Sequence, residues 1–150
     1  AGGKIYHGRA FAGELGHMTI MTDGPLCSCG GHGCLEEYAS ARGAERLAVK
    51  YLKRKVSPEE MCALAIKGNE KAKEAWEEYG RFLGAGLSNV CYAFDPQVIV
   101  LGGGISKAFG CFKDSMREEM KRRLFIPAAP VVTAASHANA IGAAMLAMEK

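Results

Sequence analysis

Cys27, Cys29 and Cys34 fall in one short loop that also holds Gly30, Gly31, His32 and Gly33. Thiolates are soft donors that select zinc or iron–sulfur clusters, and a closed structural zinc site takes four ligands. The C-x-C-x4-C spacing supplies three, and the glycines let the backbone fold tightly around an ion. Two histidines compete for the fourth place: His32 inside the loop and His17, ten residues before Cys27. Spacing alone does not choose between them. An iron–sulfur cluster would more often present four cysteines. Three free thiols left so close together would be an oxidation hazard, which argues against an unoccupied reactive loop. The other cysteines, Cys62, Cys91 and Cys111, stand alone in helical patterns and read as small buried hydrophobes. A disulfide framework would require an oxidising compartment, for which the sequence offers no other sign.

A second candidate for chemistry is Gly102-Gly103-Gly104, which follows the apolar run Val98–Leu101 and precedes a helical pattern. Such a turn lets the backbone approach a nucleotide closely, or it is simply a tight turn. Glu36, taken alone, is a first-turn charge favoured by a helix dipole. His7 and His137 have no companions and read as surface or loop residues.

The elements that must position these groups are mostly helical. Short strands are expected at Ile5-Tyr6 and Met18–Met21, with the glycine-dense and cysteine-dense loop spanning 23–34. Helices are expected from Leu35 to Ser40 and from Ala44 to Lys55. Ser57-Pro58-Glu59-Glu60 has the pattern of a capping box, starting a helix that stops at Gly68. Asn69 then caps the longest helix, Glu70 to Phe94. Its apolar residues Ala72, Trp76, Tyr79, Leu83, Leu87, Val90, Cys91 and Phe94 recur at helical spacing and form a core face. Asp95-Pro96 ends it. A buried strand is expected at Gln97–Leu101, a helix from Ala108 to Leu124, a strand at Pro130–Thr133 and a closing helix from Ala138 to Met148. This order implies an α/β domain with a largely parallel sheet.

With 49% hydrophobic and 23% charged residues, the chain is ordinary globular material, long enough for one domain with a core. The net charge of +3 is mild and its cations are scattered, unlike the concentrated basic face of a nucleic-acid binder. No apolar stretch approaches a membrane span and no signal peptide is evident, so a cytoplasmic location is the default expectation. The chain opens on Ala1-Gly2-Gly3 and reads as part of something longer.

The run Gly13-Glu14-Leu15-Gly16-His17, followed by Gly24-Pro25-Leu26-Cys27-Ser28-Cys29-Gly30-Gly31-His32-Gly33-Cys34-Leu35-Glu36, closely resembles the signature of the ROK family of sugar kinases and sugar-responsive repressors. Val98 to Ser106 is similar to that family's strand and glycine turn near the adenosine. The resemblance spans nearly the whole chain. It implies the C-terminal, sugar- and zinc-binding lobe (residues 1–150) of an actin-like ATPase fold with a ribonuclease-H-like core and a zinc-stapled loop. It also implies His17, not His32, as the fourth zinc ligand beside Cys27, Cys29 and Cys34. Sugar contacts are implied at Glu14, His17 and Glu36, and nucleotide contacts at Gly102, Gly103 and Gly104. Carboxylates suit vicinal hydroxyls because a charged acceptor forms the stronger hydrogen bonds. An imidazole can hold metal through one ring nitrogen and face a sugar with the other.

The activity implied for the intact protein is ATP- and Mg2+-dependent phosphorylation of a hexose, glucose foremost, by a homodimer or homotetramer. Leu35-Glu36-Glu37-Tyr38-Ala39-Ser40-Ala41 is similar to the glucokinase-like members. In the family an aspartate takes the proton of the attacking hydroxyl, and it lies upstream of the strand at which this chain begins. Asp23, Asp95 and Asp114 do not match its position. The 150 residues by themselves are therefore expected to fold without phosphorylating sugar. The competing expectation is the sensing lobe of a sugar-responsive repressor, which would bind DNA through an upstream helix-turn-helix. A zinc-stapled interaction module without sugar affinity is a third.

Overall fold

The computed structural model describes residues 6, 8–125, 130–135, 137 and 140–142. Element order is a 3-10 turn (Leu15–His17), α1 (Leu35–Ala39), α2 (Ala41–Leu52), α3 (Pro58–Ile66), α4 (Glu70–Phe94), β1 (Val98–Leu101), a second 3-10 turn (Gly104–Ala108), α5 (Phe109–Arg123) and β2 (Val131–Ala134). The strands pair in parallel, Val98 opposite Val131 and Leu101 opposite Ala134, so β1, α5 and β2 form one crossover unit. Ile5 of the expected strand at Ile5-Tyr6, His7 and most of the expected closing helix lie outside the described residues; Tyr6 is in no strand and 140–142 are helical.

Local chemistry sets the helix ends. Ser57 Oγ accepts from the Glu60 N–H at 3.1 Å with Pro58 in the first turn, so half of the capping box forms. The Glu60 carboxylate is instead paired with Arg54 at 2.9 Å. Asn69 Oδ1 accepts from the Ala72 N–H at 3.0 Å, and α4 ends where Asp95 turns left-handed (φ 44°) before Pro96. Ser40 breaks the α1–α2 segment and caps α2 through Gly43 N–H, 3.2 Å.

The core lies between α4 and its neighbours. Trp76, Tyr79, Phe112, Met61 and Met116 are its largest fully buried side chains. Trp76 stacks on Phe112 with ring centroids 5.7 Å apart, and Tyr79 meets Phe112 at 5.1 Å. Tyr79 sends its hydroxyl to the Ala39 carbonyl at 2.9 Å, joining α4 to the end of α1. The Trp76 indole N–H is buried and finds no acceptor among the described residues. Helices α4 and α5 approach closely because Gly80 and Gly84 have no side chains. A Cβ at Gly80 would strike Ser115 and the Phe112 carbonyl, and one at Gly84 the Met116 carbonyl.

Four sequence expectations change. Phe94, expected on the core face of α4, is exposed (54%) at the end of the helix. Met18–Met21 is not a strand; it contributes one isolated bridge, Thr19 to Cys34. β1 is not buried on both faces. Ile99 and Leu101 pack on the core, while Val98 and Val100 remain about half exposed (53% and 50%), because the helices cover one face of the sheet. Cys62 and Cys111 are not independent hydrophobes. They are joined as a disulfide between α3 and α5, with Cα atoms 6.3 Å apart, and Cys91 alone remains the small buried hydrophobe expected. Each of these outcomes depends on which distant element lies opposite, information that local periodicity does not hold.

Candidate metal centre

The loop that carries the cysteines is shaped by backbone bonds between residues on either side of it. Ile20 N–H donates to Gly33 O at 2.9 Å, Leu35 N–H to Met18 O at 2.8 Å, and Cys27 N–H to Gly31 O at 2.8 Å. Gly33 is obligatory here: its φ is +66°, and a Cβ would fall on the Met21 carbonyl. The 3-10 turn at Leu15–His17 brings His17 to the opening of this loop.

His17, Cys27, Cys29 and Cys34 converge, with one ligand atom from each lying within 4.8 Å of all the others. His17 Nδ1 is 3.5 Å from Cys27 Sγ, and Cys29 Sγ is 3.7 Å from Cys34 Sγ. A tetrahedron with zinc–sulfur bonds of about 2.3 Å and a zinc–nitrogen bond of about 2.0 Å has edges of roughly 3.5–3.8 Å. The observed separations and the three-sulfur, one-nitrogen donor set therefore fit a zinc-sized tetrahedral ion. His32 stands apart, its Nδ1 3.2 Å from the Gly24 carbonyl. Cys27 and Cys34 are buried, whereas Cys29 is exposed at the rim.

The thiols differ in acidity. The Cys29 backbone N–H, helped by hydrogen bonds from His17 and the neighbouring thiols, lowers Cys27 to about 7. Burial, reinforced by Cys29 and Cys27, pushes Cys34 up to about 12. The Cys27 sulfur in turn raises the His17 imidazole above its ordinary value, with smaller contributions from Glu36 and Glu14. Of these two thiols, Cys27 is the one that takes negative charge first. A divalent cation at the centre would draw the remaining protons off, since ligating thiols are deprotonated.

The other edge of His17 faces away from the sulfurs. Its Nε2 lies 3.8 Å from Glu14 Oε2. Glu36 stands across from Gly16, where an added Cβ would make ordinary contact with Glu36 Oε2 at 3.6 Å. The second Glu36 oxygen accepts from Arg42 at 2.8 Å. Arg42 went unnoticed in the sequence because a separation of six residues matches no helical contact. The break at Ser40 is what lets them meet. Beside it, buried Glu37 is paired with Arg46, which holds its carboxyl below the usual carboxylate range.

The glycine turn is a separate feature. Gly103 has φ +79° and Gly104 opens the second 3-10 turn, and no atom lies within 4 Å of a Cβ built at either. Ser106 Oγ donates to the Gly103 carbonyl at 2.7 Å and fixes the turn. Asp23 and Asp114 are exposed, and Asp95 is the left-handed cap of α4.

Comparison with known proteins finds the ROK family model matching residues 1–150. The xylose repressor of Bacillus spizizenii is 36% identical over 122 residues, covering 81% of this chain and 32% of the repressor. The N-acetyl-D-glucosamine kinase of Vibrio cholerae is 32% identical over 157 residues, covering 94% of this chain and 52% of the kinase. The crystal structure of a ROK family glucokinase from Streptomyces griseus, in complex with glucose and AMPPNP, superposes with a TM-score of 0.79 at 30% identity, covering 93% of this chain and 52% of the glucokinase. The chain spans about a third to a half of the length of these relatives. The family match covers the metal loop, the helical body and the glycine turn together. The chain therefore belongs to the ROK family and has the α/β architecture of its sugar kinases, an actin-like ATPase fold.

Proposed function

We propose that residues 1–150 are the C-terminal lobe of a sugar kinase that transfers the terminal phosphate of ATP to a hexose, with glucose as the first candidate. The observation that carries this reading is the two-sided placement of His17, with Nδ1 among the sulfurs and Nε2 beside Glu14. In this reading zinc is held by His17, Cys27, Cys29 and Cys34 and supplies rigidity, fixing the imidazole so that Nε2 stays aimed outward. Glu14 and Glu36 flank that edge and accept hydrogen bonds from sugar hydroxyls, with Arg42 holding Glu36 in place. Gly102, Gly103 and Gly104 leave room for the nucleotide, whose Mg2+-bound phosphates must lie in line with the sugar hydroxyl.

Phosphoryl transfer depends mainly on positioning and charge stabilisation, and this lobe contributes positioning. We assign the proton-accepting aspartate to a part of the protein outside these 150 residues, so the segment alone would give no turnover. A cytoplasmic homodimer or homotetramer goes with the same reading. The glucokinase solved with glucose and AMPPNP supports it. The N-acetyl-D-glucosamine kinase keeps an amino sugar in contention.

The second reading, a sugar-sensing lobe of a repressor, is favoured by the similarity to the xylose repressor. The deciding experiment assays the intact protein for ADP release with ATP, Mg2+ and a panel of hexoses and N-acetylhexosamines. Sugar-dependent turnover establishes the kinase and names its substrate. Sugar binding without turnover transfers the lobe to the repressor reading.

A further inference from the structure

Cys62 and Cys111 make different demands on their surroundings from those of the metal-loop cysteines. Cys27, Cys29 and Cys34 must stay reduced to serve as ligands, and Cys91 is also free. A compartment that keeps clustered thiols reduced also reduces an accessible cross-link, and an oxidising one would threaten the cluster. A permanent disulfide is therefore hard to reconcile with the rest of the chain, whereas a conditional one is not.

The pair is accessible. It lies between two clefts: one of about 230 Å³ between α3 and the turn at Gly104–Ala108, lined by Cys62, Ile66, Gly104 and Lys107. The other, of about 400 Å³, is lined by Cys62, Lys73, Lys107 and Cys111. The bond closes a long segment, since its ends are 49 residues apart, and it joins α3 to the helix that follows the glycine turn. Helix α3 buries only Met61 and Ala65 and is flanked by a left-handed glycine, Gly68 (φ +92°). With so little burial, the position of α3 is one that a cross-link would affect.

We propose that Cys62–Cys111 is a reversible redox latch that clamps α3 onto the start of α5 and stiffens the cleft beside Gly104. It closes by exchange with a small-molecule disulfide such as oxidised glutathione. One cysteine thiolate attacks the glutathione disulfide, forming a mixed disulfide and releasing one glutathione thiolate. The second cysteine thiolate then attacks the mixed disulfide and releases the other. The pair loses two electrons, the two released thiolates carry them away, and each takes up one of the cysteine protons. Reduction by glutathione reverses both steps. The latch stands on its own geometry, and only its effect on nucleotide affinity rests on the kinase reading.

The test equilibrates the intact, metal-loaded protein in glutathione buffers of rising oxidised fraction and traps free thiols by alkylation. Mass spectrometry, metal content, amide exchange over 58–66 and 104–111, and binding of a non-hydrolysable ATP analogue are then read on the same samples. We expect the Cys62–Cys111 bond to close at full metal content, with exchange in 58–66 slowed by about tenfold. Analogue affinity should shift by at least about threefold on closure, by stiffening a site that otherwise fluctuates. The double variant Cys62→Ser, Cys111→Ser should show neither change across the same buffers. The latch is overturned if metal is released before the bond closes, if the bond survives fully reducing buffer, or if it closes with exchange unaltered. An altered exchange with no analogue binding in either state would leave the latch standing and remove the nucleotide reading.

Discussion

Between Leu15 and Cys34 the backbone has no α-helix and only two isolated bridges, whereas nearly every residue from Ala41 to Phe94 is helical. The two regions are held by different forces. The helical body buries Trp76, Tyr79, Phe112, Met61 and Met116 completely and follows the ordinary hydrophobic logic of a core. The metal loop buries few large apolar groups: Leu26 is 65% exposed and Met21 50%. What it has is a donor cluster, glycine turns and a handful of backbone bonds. Burial is a non-directional force, suited to holding helices together. Directional donors suit a loop proposed to fix one imidazole edge.

That contrast implies that damage to one region should register differently from damage to the other. The steepest effect is expected at the centre itself. Cys29→Ser should abolish stoichiometric metal binding and raise amide exchange across 17–34, while far-ultraviolet dichroism of the helices stays as it was. Metal retained at the wild-type ratio, measured by plasma mass spectrometry, would refute the assignment of Cys29. In the body, Phe112→Ala removes the ring on which both Trp76 and Tyr79 rest, and should lower unfolding free energy by about 3–5 kcal/mol in urea titration. Metal content of the folded variant should be unaffected, and a parallel loss of metal would mean that the two regions are one cooperative unit.

A smaller, pH-dependent effect belongs to Glu119 at the α4–α5 packing. It is buried (7% exposed) and hydrogen-bonded to Arg122, with Arg123 beside it, and these guanidinium groups hold its carboxyl below the ordinary value. A lowered folded-state pKa stabilises the protein above the unfolded-state value near 4.5 and loses that stabilisation as pH falls through the folded value. Glu119→Gln should cost about 1–2 kcal/mol at neutral pH. It should also flatten the acid limb of a stability-against-pH curve, and an unchanged acid limb would place the pH sensitivity elsewhere. Smallest is the helix cap: Ser57→Ala should cost about 1 kcal/mol and fray the start of α3. Calorimetry would show the lower Tm, with loop exchange as in the wild type.

The sequence carried these two regions unequally. Cysteine spacing singles out the candidate metal loop, because ligands must be of particular types whatever the fold. Choosing His17 over His32 required the family resemblance, because spacing left both open; the structure brings His17 to the sulfurs. Both ends of α4 were readable from Asn69 and Asp95-Pro96, where local chemistry decides the boundary. Gly80 and Gly84 gave no warning of their role, since a glycine in a helix looks like a defect until another helix is seen crossing it. The half-exposed face of β1, the Arg42–Glu36 pair and the Cys62–Cys111 bond were unreadable for the same reason: each is a relation between segments.

One residue in the body turns the contrast between the regions into something visible. Trp76 is the only tryptophan of the chain, is fully buried, and has an indole N–H without an acceptor among the described residues. Indole emission follows the polarity around the ring, so intact protein should fluoresce at short wavelength and shift red only when the body opens. The molecule carries its own optical gauge, blind to the loop. Stripping metal should leave that colour unchanged, and urea should shift it.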